Sequence, residues 1–336
     1  MTETWGVTTN IAGQSPWEWF VAELDRLVVD DPAPADGSLS RWQERARPRL
    51  LALLGAMPEP VPLDVQRSGE TDVGPYRRIA LSFAAEQRMR VPCWLLVPHE
   101  PRGSGVVALH GHGVGRDEVC GLSSTEDRGA AYADALARAG HVVLAPDQRG
   151  FGQRADWQPD GIYHCDYDLT LATLLGVTVL GRNVWDAARC LDVLAAMPEV
   201  DADRLGVAGL SYGATTSLFL AAVDPRVRAT VVAGYLSSWS ACARVGWNMC
   251  GSQVVPGVAR AFDHADLAAL VAPRALLAQS GEQDLIFPIA SARASAERVH
   301  EVYGSVGADD RFVHDVQPTG HAWTEPTPGD FLATHL

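Results

Sequence analysis

The sequence contains no lysine, and all 27 of its basic side chains are arginine. This absence excludes enzymes that form a Schiff base on lysine, including pyridoxal-phosphate enzymes. It also excludes the GK(S/T) phosphate-binding loop and the Ser–Lys nucleophile pair. With 41 acidic residues, the formal net charge at pH 7 is −14. Nucleic acids and anionic membranes bind basic surfaces, so neither is expected as a partner.

Long apolar runs and a basic amino-terminal segment are also missing. No stretch reaches the ~18 apolar residues that span a bilayer, and the initial MTETWGVTTN does not resemble a secretory signal. The six cysteines show no CxxC pair and no zinc-ligand spacing, which predicts reduced thiols in or near the core and no metal site. We therefore expect a cytoplasmic protein without a cofactor, and a homodimer is left open.

The chain divides by pattern into a helical extension and one larger domain. In residues 1–65 apolar residues recur at helical spacing, and PEPVP at 58–62 ends this region. Residues 66–336 are predicted to form one α/β domain. The extension is expected to pack on that domain, and binding of a partner by one of its helices is the alternative.

Short apolar strands alternate with helical segments from about residue 75 onward. This alternation predicts a mostly parallel central sheet with helices on both faces. The predicted strands are 76–83, 88–97, 105–109, 141–145, 204–208, 229–234, 274–279 and 311–316, and the predicted helices are 129–139, 183–196, 212–223 and 290–303. Insertions at about 151–182 and 235–265 follow strands, so we expect them to cover a site at the carboxyl edge of the sheet as a lid.

A GxSxG pattern joins one predicted strand to one predicted helix. Ser211 lies between Gly209 and Gly213, after the apolar LGVA and before a helix of small and apolar residues. Glycines on both sides permit a tight turn that raises the serine hydroxyl above the sheet, at a helix amino terminus that favours negative charge. Ser211 is therefore predicted to be a nucleophile.

A serine nucleophile needs a base and a carboxylate that orients the base, and in this arrangement they follow the serine in the chain. Asp284 lies in the loop after one predicted strand, with Glu282 as the competing carboxylate. His321 lies in a glycine-flanked loop after the last predicted strand and is the predicted base. Other downstream histidines are assigned structural roles: His300, His314 and His335.

A second glycine-containing loop, LHGHG at 109–113, follows an upstream strand. Acyl transfer requires two N–H donors directed at the oxyanion. We expect the backbone N–H of Tyr212 to be the first donor, and that of His112, or next of Gly111, to be the second. The alternative is a metal site that begins at His110 and His112, and it is disfavoured because the following VGRDEVC supplies no third histidine.

With these motifs the sequence resembles the α/β-hydrolases, in the branch that contains dienelactone hydrolases and acetyl xylan or cephalosporin esterases. The matching segments are LHGHG at 109–113, APDQRGFGQR at 145–154, GLSYGA at 209–214, GEQDLIFP at 281–288 and TGHAW at 319–323. The resemblance implies the α/β-hydrolase fold and the triad Ser211, Asp284 and His321. It also implies a structural ion pair between Asp147 and Arg149. The sequence differs from dienelactone hydrolases proper in having serine where they carry cysteine.

The leading hypothesis is that the protein hydrolyses a carboxylic ester through an acyl-enzyme. The substrate would be a small molecule that carries a small acyl group such as acetyl. Aromatic residues of the two insertions are the candidate substrate-binding residues: Trp157, Tyr163, His164, Tyr235, Trp239 and Trp247. One alternative is a lyase that eliminates acetate from an O-acetylated, tetronate-type polyketide intermediate, with His321 removing a C–H proton. A second alternative is a binding protein that keeps the fold without catalysis.

Overall fold

The computed structural model describes residues 15–123, 130–155, 164–245 and 250–336. In this part of the chain, nine strands form one sheet. The strands are β1 (Gln66–Asp72), β2 (Tyr76–Glu86), β3 (Met89–Pro98), β4 (Gly103–Leu109), β5 (Val142–Pro146), β6 (Val200–Leu210), β7 (Val227–Ala233), β8 (Ala275–Gly281) and β9 (Phe312–Gln317). Their order across the sheet is β1-β2-β3-β5-β4-β6-β7-β8-β9.

Helices precede, connect and follow these strands. They are α1 (Pro16–Arg26), α2 (Leu39–Leu54), α3 (Arg116–Val119), α4 (Tyr132–Arg138), α5 (His164–Leu174), α6 (Val179–Ala195), α7 (Tyr212–Val223), α8 (Trp239–Val245), α9 (Val258–Ala261), α10 (His264–Ala269), α11 (Ile289–Ser305) and α12 (Thr327–His335). Short 3-10 helices occur at Gly152–Arg154, Gly251–Gln253 and Asp309–Arg311. Within the described ranges, no helix is long and apolar enough to cross a membrane.

The sheet is parallel over most of its width. The strands β5, β4, β6, β7, β8 and β9 pair in parallel, whereas β1, β2, β3 and β5 pair antiparallel at one side. The predicted α/β class with a mostly parallel central sheet is therefore confirmed. Of the nine described strands, only β1 is missing from the prediction, because all its residues are exposed and QRSGETD has no apolar alternation.

The buried strands send alternate side chains to two apolar clusters. Val107 and Val207 belong to one cluster, and their chain neighbours Val106 and Ala208 belong to the other. A strand that is buried on both faces becomes a nearly continuous apolar run, which is why the sequence shows these strands clearly. The site described below therefore stands on a sheet that is packed on both sides.

Helix α2 belongs to the first of these clusters through Trp42, Leu50 and Leu54. From the same helix, Nε of Arg47 donates to the carbonyl of Ala222 near the end of α7, at 2.8 Å. Helix α1, in contrast, has no buried residue. The division of the chain at residue 65 stays a prediction.

The pH dependence of stability should reflect His141, which lies just before β5 and is only 1% exposed. Its Nδ1 is 2.6 Å from Oγ of Ser104, and burial lowers its pKa to about 4 from the ordinary 6.5. Between pH 6.5 and 4 the imidazole of His141 is protonated in the unfolded chain and stays neutral in the folded chain. The free energy of unfolding should therefore fall as pH drops from 6.5 toward 4, by about 3 kcal/mol in total.

Urea unfolding at several pH values in this window measures the slope. The matched variant His141→Gln removes the titrating group and keeps a polar side chain, so its stability should depend less steeply on pH. An equal slope in the two proteins would contradict the assignment.

Candidate active site

Ser211 lies in a tight turn, the elbow (residues 209–213), between β6 and α7. Its backbone has φ 59° and ψ −120°, a conformation that is strained for any residue with a Cβ atom. A Cβ atom at Gly209 would lie 2.3 Å from the carbonyl carbon of Gly213, and one at Gly213 would lie 1.8 Å from the carbonyl oxygen of Leu109. The two glycines are required because the elbow leaves no room for side chains.

The elbow is held by the core on both sides. The backbone N–H of Ser211 donates to the carbonyl of Ala233 at the end of β7, at 2.8 Å, and its carbonyl accepts from the N–H of Thr215 in α7, at 2.9 Å. Every residue of α7 from Tyr212 to Ala222 is buried. A side chain at position 211 is therefore presented from a rigid support.

Asp284 and His321 come together above the ends of β8 and β9. Nδ1 of His321 lies 2.8 Å from Oδ2 of Asp284, whose side chain is only 1% exposed. The other carboxylate oxygen, Oδ1, accepts from the backbone N–H groups of Ile286 at 2.7 Å and Phe287 at 3.0 Å. The ring of Phe287 also stacks on the imidazole, with 5.7 Å between centroids. The carboxylate is thus fixed from two sides and fixes His321 in turn.

The imidazole of His321 lies over Gly234, the residue after β7. A Cβ atom at Gly234 would be 2.8 Å from Cε1 of His321 and 3.4 Å from Cδ1 of Leu210, the residue before Ser211. The histidine therefore lies beside the elbow. Its Nε2 is buried and has no hydrogen-bond partner in the described part of the chain, the Ser211 hydroxyl included. A free Nε2 remains available as a proton acceptor.

Glu282, the competing carboxylate, has a different environment. Its side chain is half exposed and pairs with Arg293 on α11, with 2.9 Å between Oε1 and NH2. The histidine nitrogen is instead bonded to Asp284. The geometry therefore favours Asp284 as the carboxylate that orients His321.

The glycine-containing HGHG loop (residues 110–113) approaches the elbow from the end of β4. A Cβ atom at Gly111 would lie 3.1 Å from the carbonyl oxygen of Leu210 and 3.3 Å from Cβ of Ser211. The next residue, His112, has its ring 5.2 Å from the ring of Tyr212, centroid to centroid. Gly111, His112 and Tyr212 are thus brought to Ser211, and their role as oxyanion donors stays a prediction.

His110 is part of the fold at this point and is not placed to bind a metal. Its Nε2 accepts from the backbone N–H of Gln148 at 3.0 Å, and its Nδ1 lies 2.7 Å from the carbonyl of Gly111. Burial lowers its pKa, so the ring is neutral and both nitrogens are occupied. The side chain connects the loops that follow β4 and β5.

The implied ion pair between Asp147 and Arg149 is not formed. Asp147 is buried and pairs with Arg116, with 3.0 Å between Oδ2 and NH1. Arg149 points to the other side, where it pairs with Asp186 of α6 at 2.8 Å and Glu86 of β2 at 2.6 Å. The expectation is wrong because the loop after β5 directs these two side chains to different neighbours.

Comparison with known proteins shows the family and the fold of this chain. The model of the Abhydrolase family matches residues 31–302. This chain belongs to the Abhydrolase family. A curated relative is the Bacillus subtilis (strain 168) protein named "Putative hydrolase YtaP", which is 24% identical over 292 residues, or 82% of this chain and 92% of the relative.

Solved structures share the fold of this abhydrolase at low sequence identity. A "putative acetyl xylan esterase" from Bacteroides fragilis superposes with a TM-score of 0.75 at 16% identity, over 93% of this chain and 84% of the other. A glucuronoyl esterase from Solibacter usitatus superposes with a TM-score of 0.65 at 15% identity, over 93% and 99%. The predicted α/β-hydrolase fold is thereby confirmed.

The candidate substrate-binding residues of the abhydrolase are only partly described. Trp157, Tyr163 and Trp247 lie outside the described residues, and so does the side chain of His164, the first residue of α5. Tyr235 and Trp239 are both buried: the Tyr235 ring lies 5.7 Å from that of Phe287, and Nε1 of Trp239 donates to the carbonyl of Phe262 at 2.7 Å. Their contact with a substrate stays a prediction.

One cluster near the elbow of this abhydrolase was not found from the sequence. A ring nitrogen of His112 and the two Sγ atoms of Cys165 and Cys250 all lie within 4.8 Å of one another. Among the described residues, these three side chains form the group of His, Cys, Asp or Glu whose positions could hold a metal ion. No local spacing signals them, because they come from positions that are far apart in the chain.

Proposed function

We propose that this protein is a serine esterase that hydrolyses carboxylic esters of small acyl groups such as acetyl. Ser211 would act as the nucleophile, His321 as the base and Asp284 as the orienting carboxylate. The observation that carries the proposal is the Asp284–His321 hydrogen bond of 2.8 Å beside a strained serine turn. The acetyl xylan esterase and glucuronoyl esterase names of the structural neighbours support the choice of an ester as substrate.

The hydrogen bond to Asp284 determines which nitrogen of His321 is free. With its Nδ1–H donated to the carboxylate, the imidazole carries its lone pair on Nε2. That nitrogen would take the proton of Ser211 as Oγ attacks the ester carbonyl, and would then give the proton to the leaving alcohol. Water would then attack the acyl carbonyl while the same nitrogen takes its proton. That proton would pass to Oγ of Ser211 as the bond between the acyl carbon and Oγ breaks, which releases the acid and restores the serine.

The negative charge that forms on the carbonyl oxygen needs donors next to Ser211. The backbone N–H of Tyr212 lies at the start of α7, where helix N–H groups have no partner within the helix. The side chain of Tyr212 faces the core, and its hydroxyl accepts from Nδ2 of Asn183 at 2.6 Å. A second donor would come from His112 or Gly111. The backbone N–H of Tyr212 would thus bind the oxyanion, while its side chain packs in the core.

An oxygen-18 experiment tests the reaction class. The substrate is a β-acetoxy ketone, in which an ester carbonyl and an acidic C–H are both present, so that hydrolysis and elimination are both open. In oxygen-18 water, hydrolysis places one solvent oxygen in the released acetate and leaves a hydroxy ketone. Acetate with both original oxygens, together with an unsaturated ketone, would replace the proposal with the lyase alternative.

A fluorophosphonate probe tests the nucleophile independently of any substrate. We expect one adduct per chain, located at Ser211 by peptide mass spectrometry. The alternative of a non-catalytic binding protein would be favoured if the folded protein formed no adduct and released no acetate from a panel of acetyl esters.

Gly234→Ala should displace His321 and slow catalysis. The new Cβ atom would lie 2.8 Å from Cε1 of the imidazole, at a backbone φ of 58° that is strained for alanine. A shift of the base by about 1 Å should lower kcat by about 100-fold, with a loss of about 1 kcal/mol in stability. Ester kinetics and thermal unfolding measure the two effects.

Gly307→Ala is the matched control for that variant. Gly307 has a similar φ of 68°, but no atom lies within 4 Å of the position of the new Cβ. We expect a similar loss of stability without a change in kcat. If both variants lose activity equally, the effect comes from backbone strain and not from contact with His321.

A further inference from the structure

The thiol–imidazole cluster (His112, Cys165 and Cys250) lies where three separate segments meet. His112 belongs to the HGHG loop, Cys165 to the first turn of α5, and Cys250 directly precedes the 3-10 helix Gly251–Gln253. Nε2 of His112 is 2.9 Å from Sγ of Cys250. The second thiol completes a group in which every pair of donor atoms is within 4.8 Å. All three cysteine and histidine side chains are thus directed to one point.

The two thiols are held together by their backbones. A Cβ atom at Gly251 would lie 2.2 Å from the carbonyl oxygen of Cys165, so the two segments are in direct contact. The N–H of Gly251 also donates to Oδ1 of Asp166 at 2.8 Å. The 3-10 helix is connected to α7 as well, through a 2.9 Å hydrogen bond from Gln253 to Thr215. The pair of cysteines is therefore positioned by backbone contacts, without a disulfide bond between them.

The imidazole is oriented by aromatic neighbours. The ring of His112 lies 5.5 Å from the ring of Phe151 and 5.2 Å from that of Tyr212, centroid to centroid. This packing directs Nε2 toward the thiols. His112 itself is exposed, whereas Cys165 is buried and Cys250 half-buried. An ion can therefore reach the cluster from solvent and meet donors that are already arranged.

We propose that His112, Cys165 and Cys250 bind a zinc ion. Two thiolates and an imidazole are soft or borderline donors, which select zinc over magnesium and calcium. With a Zn–N distance of about 2.0 Å and Zn–S distances of about 2.3 Å, a tetrahedral ion separates its N and S donors by about 3.5 Å and its two S donors by about 3.8 Å. The His112–Cys250 separation of 2.9 Å would lengthen by about 0.6 Å, and the other two separations, each at most 4.8 Å, would shorten by no more than about 1.3 Å.

The charge and the number of ligands at the cluster suit a zinc ion. Each cysteine would bind as a thiolate, so the ion would displace the two thiol protons to solvent. Two thiolates neutralise the charge of Zn²⁺. Three protein ligands leave a fourth position for water or a further ligand.

Zinc at this point would connect the HGHG loop to the two segments predicted as lid insertions. It would hold His112 and therefore the loop that carries the proposed oxyanion donors. The binding of zinc does not depend on the proposed esterase function, since it needs only the three side chains. A zinc affinity measured on the full chain therefore tests the zinc site separately from the esterase proposal.

Titration of the reduced, metal-free full chain with zinc tests the proposal. All six cysteines are first shown to be free by thiol titration, and zinc is then added in competition with a chromophoric chelator. We expect one ion per chain. Cobalt added in place of zinc should give thiolate-to-metal charge-transfer absorption and the visible bands of a tetrahedral ion. The midpoint of thermal unfolding should rise with zinc concentration, because the ion binds the folded chain.

Variants separate this site from adventitious binding. The double variant Cys165→Ala/Cys250→Ala should weaken zinc binding by about 100-fold or more and lose the charge-transfer band. Cys120→Ala is the control. It removes a buried thiol from the apolar cluster of the core that contains none of the three proposed ligands, and it should bind zinc as the unchanged chain does. His112→Gln should weaken binding and keep the charge-transfer band. No stoichiometric zinc in the unchanged chain, or unchanged affinity in a folded double variant, would overturn the proposal.

Discussion

Ser211→Ala should lower kcat for ester hydrolysis by about 10⁴- to 10⁶-fold. The variant loses the oxygen that would attack the carbonyl, whereas the hydrogen bond between His321 and Asp284 does not depend on it. Residual activity would come from the backbone donors and from substrate binding alone. Steady-state kinetics on small acetyl esters measure the loss, and KM should change much less than kcat.

Ser217→Ala is the matched control. Ser217 lies on the same helix, but its hydroxyl donates within that helix, to the carbonyl of Gly213 at 2.7 Å. We expect kcat to stay within about threefold, since this hydroxyl takes no part in the proposed chemistry. The Ser211→Ala variant should be purified from a host that does not produce the unsubstituted protein. If it then retained full activity, the nucleophile would have to be another group.

The same position should show that the elbow stores strain. Alanine at 211 keeps the Cβ atom and with it the unfavourable φ of 59°, so its stability should resemble that of the unchanged protein. Ser211→Gly removes the Cβ and should raise the free energy of unfolding by about 1 kcal/mol while remaining inactive. Chemical unfolding of the two variants measures this difference. Equal stabilities would mean that the turn is not strained.

Local patterns account for what the sequence predicts well. Strands that are buried on both faces appear as apolar runs, and the helix 212–223 is predicted with the bounds that α7 has. The elbow is also a local pattern, since Gly209 and Gly213 are required by contacts within and next to the turn. Asp284 and His321 are predicted from chain order and from loops that follow strands. The structure brings these two together, and their catalytic roles stay a prediction.

Contacts between distant segments account for what the sequence does not predict. The partner of Asp147 is Arg116, 31 positions away in the sequence. No local pattern in the sequence favours Arg116 over Arg149 as this partner. Cys250 meets His112 across 138 positions, so spacing rules for metal ligands do not detect them. Strand β1 is missed for a different reason, since its exposed residues gain their order from pairing with β2 and not from burial.

Asp284→Asn should lower kcat by about 10⁴-fold, although the two side chains have the same shape. Oδ1 of Asp284 accepts from the N–H groups of Ile286 and Phe287. An asparagine must direct its only oxygen to these donors, which turns its NH₂ group toward Nδ1 of His321. The imidazole can then face the amide only as an acceptor, so its proton moves to Nε2. In that tautomer Nε2 cannot take the proton of Ser211.

Glu282→Gln is the control for that variant, because it tests the competing carboxylate by the same chemical change. Glu282 is half exposed and pairs with Arg293, so kcat should stay within about threefold. A pH–rate profile adds a second readout, since only Asp284→Asn changes the tautomer of the base and with it the ionisation on which the rate depends. The reverse result, a slow Glu282→Gln and an active Asp284→Asn, would assign the orienting role to Glu282. The hydrogen bond of 2.8 Å between His321 and Asp284 is the physical reason to expect otherwise.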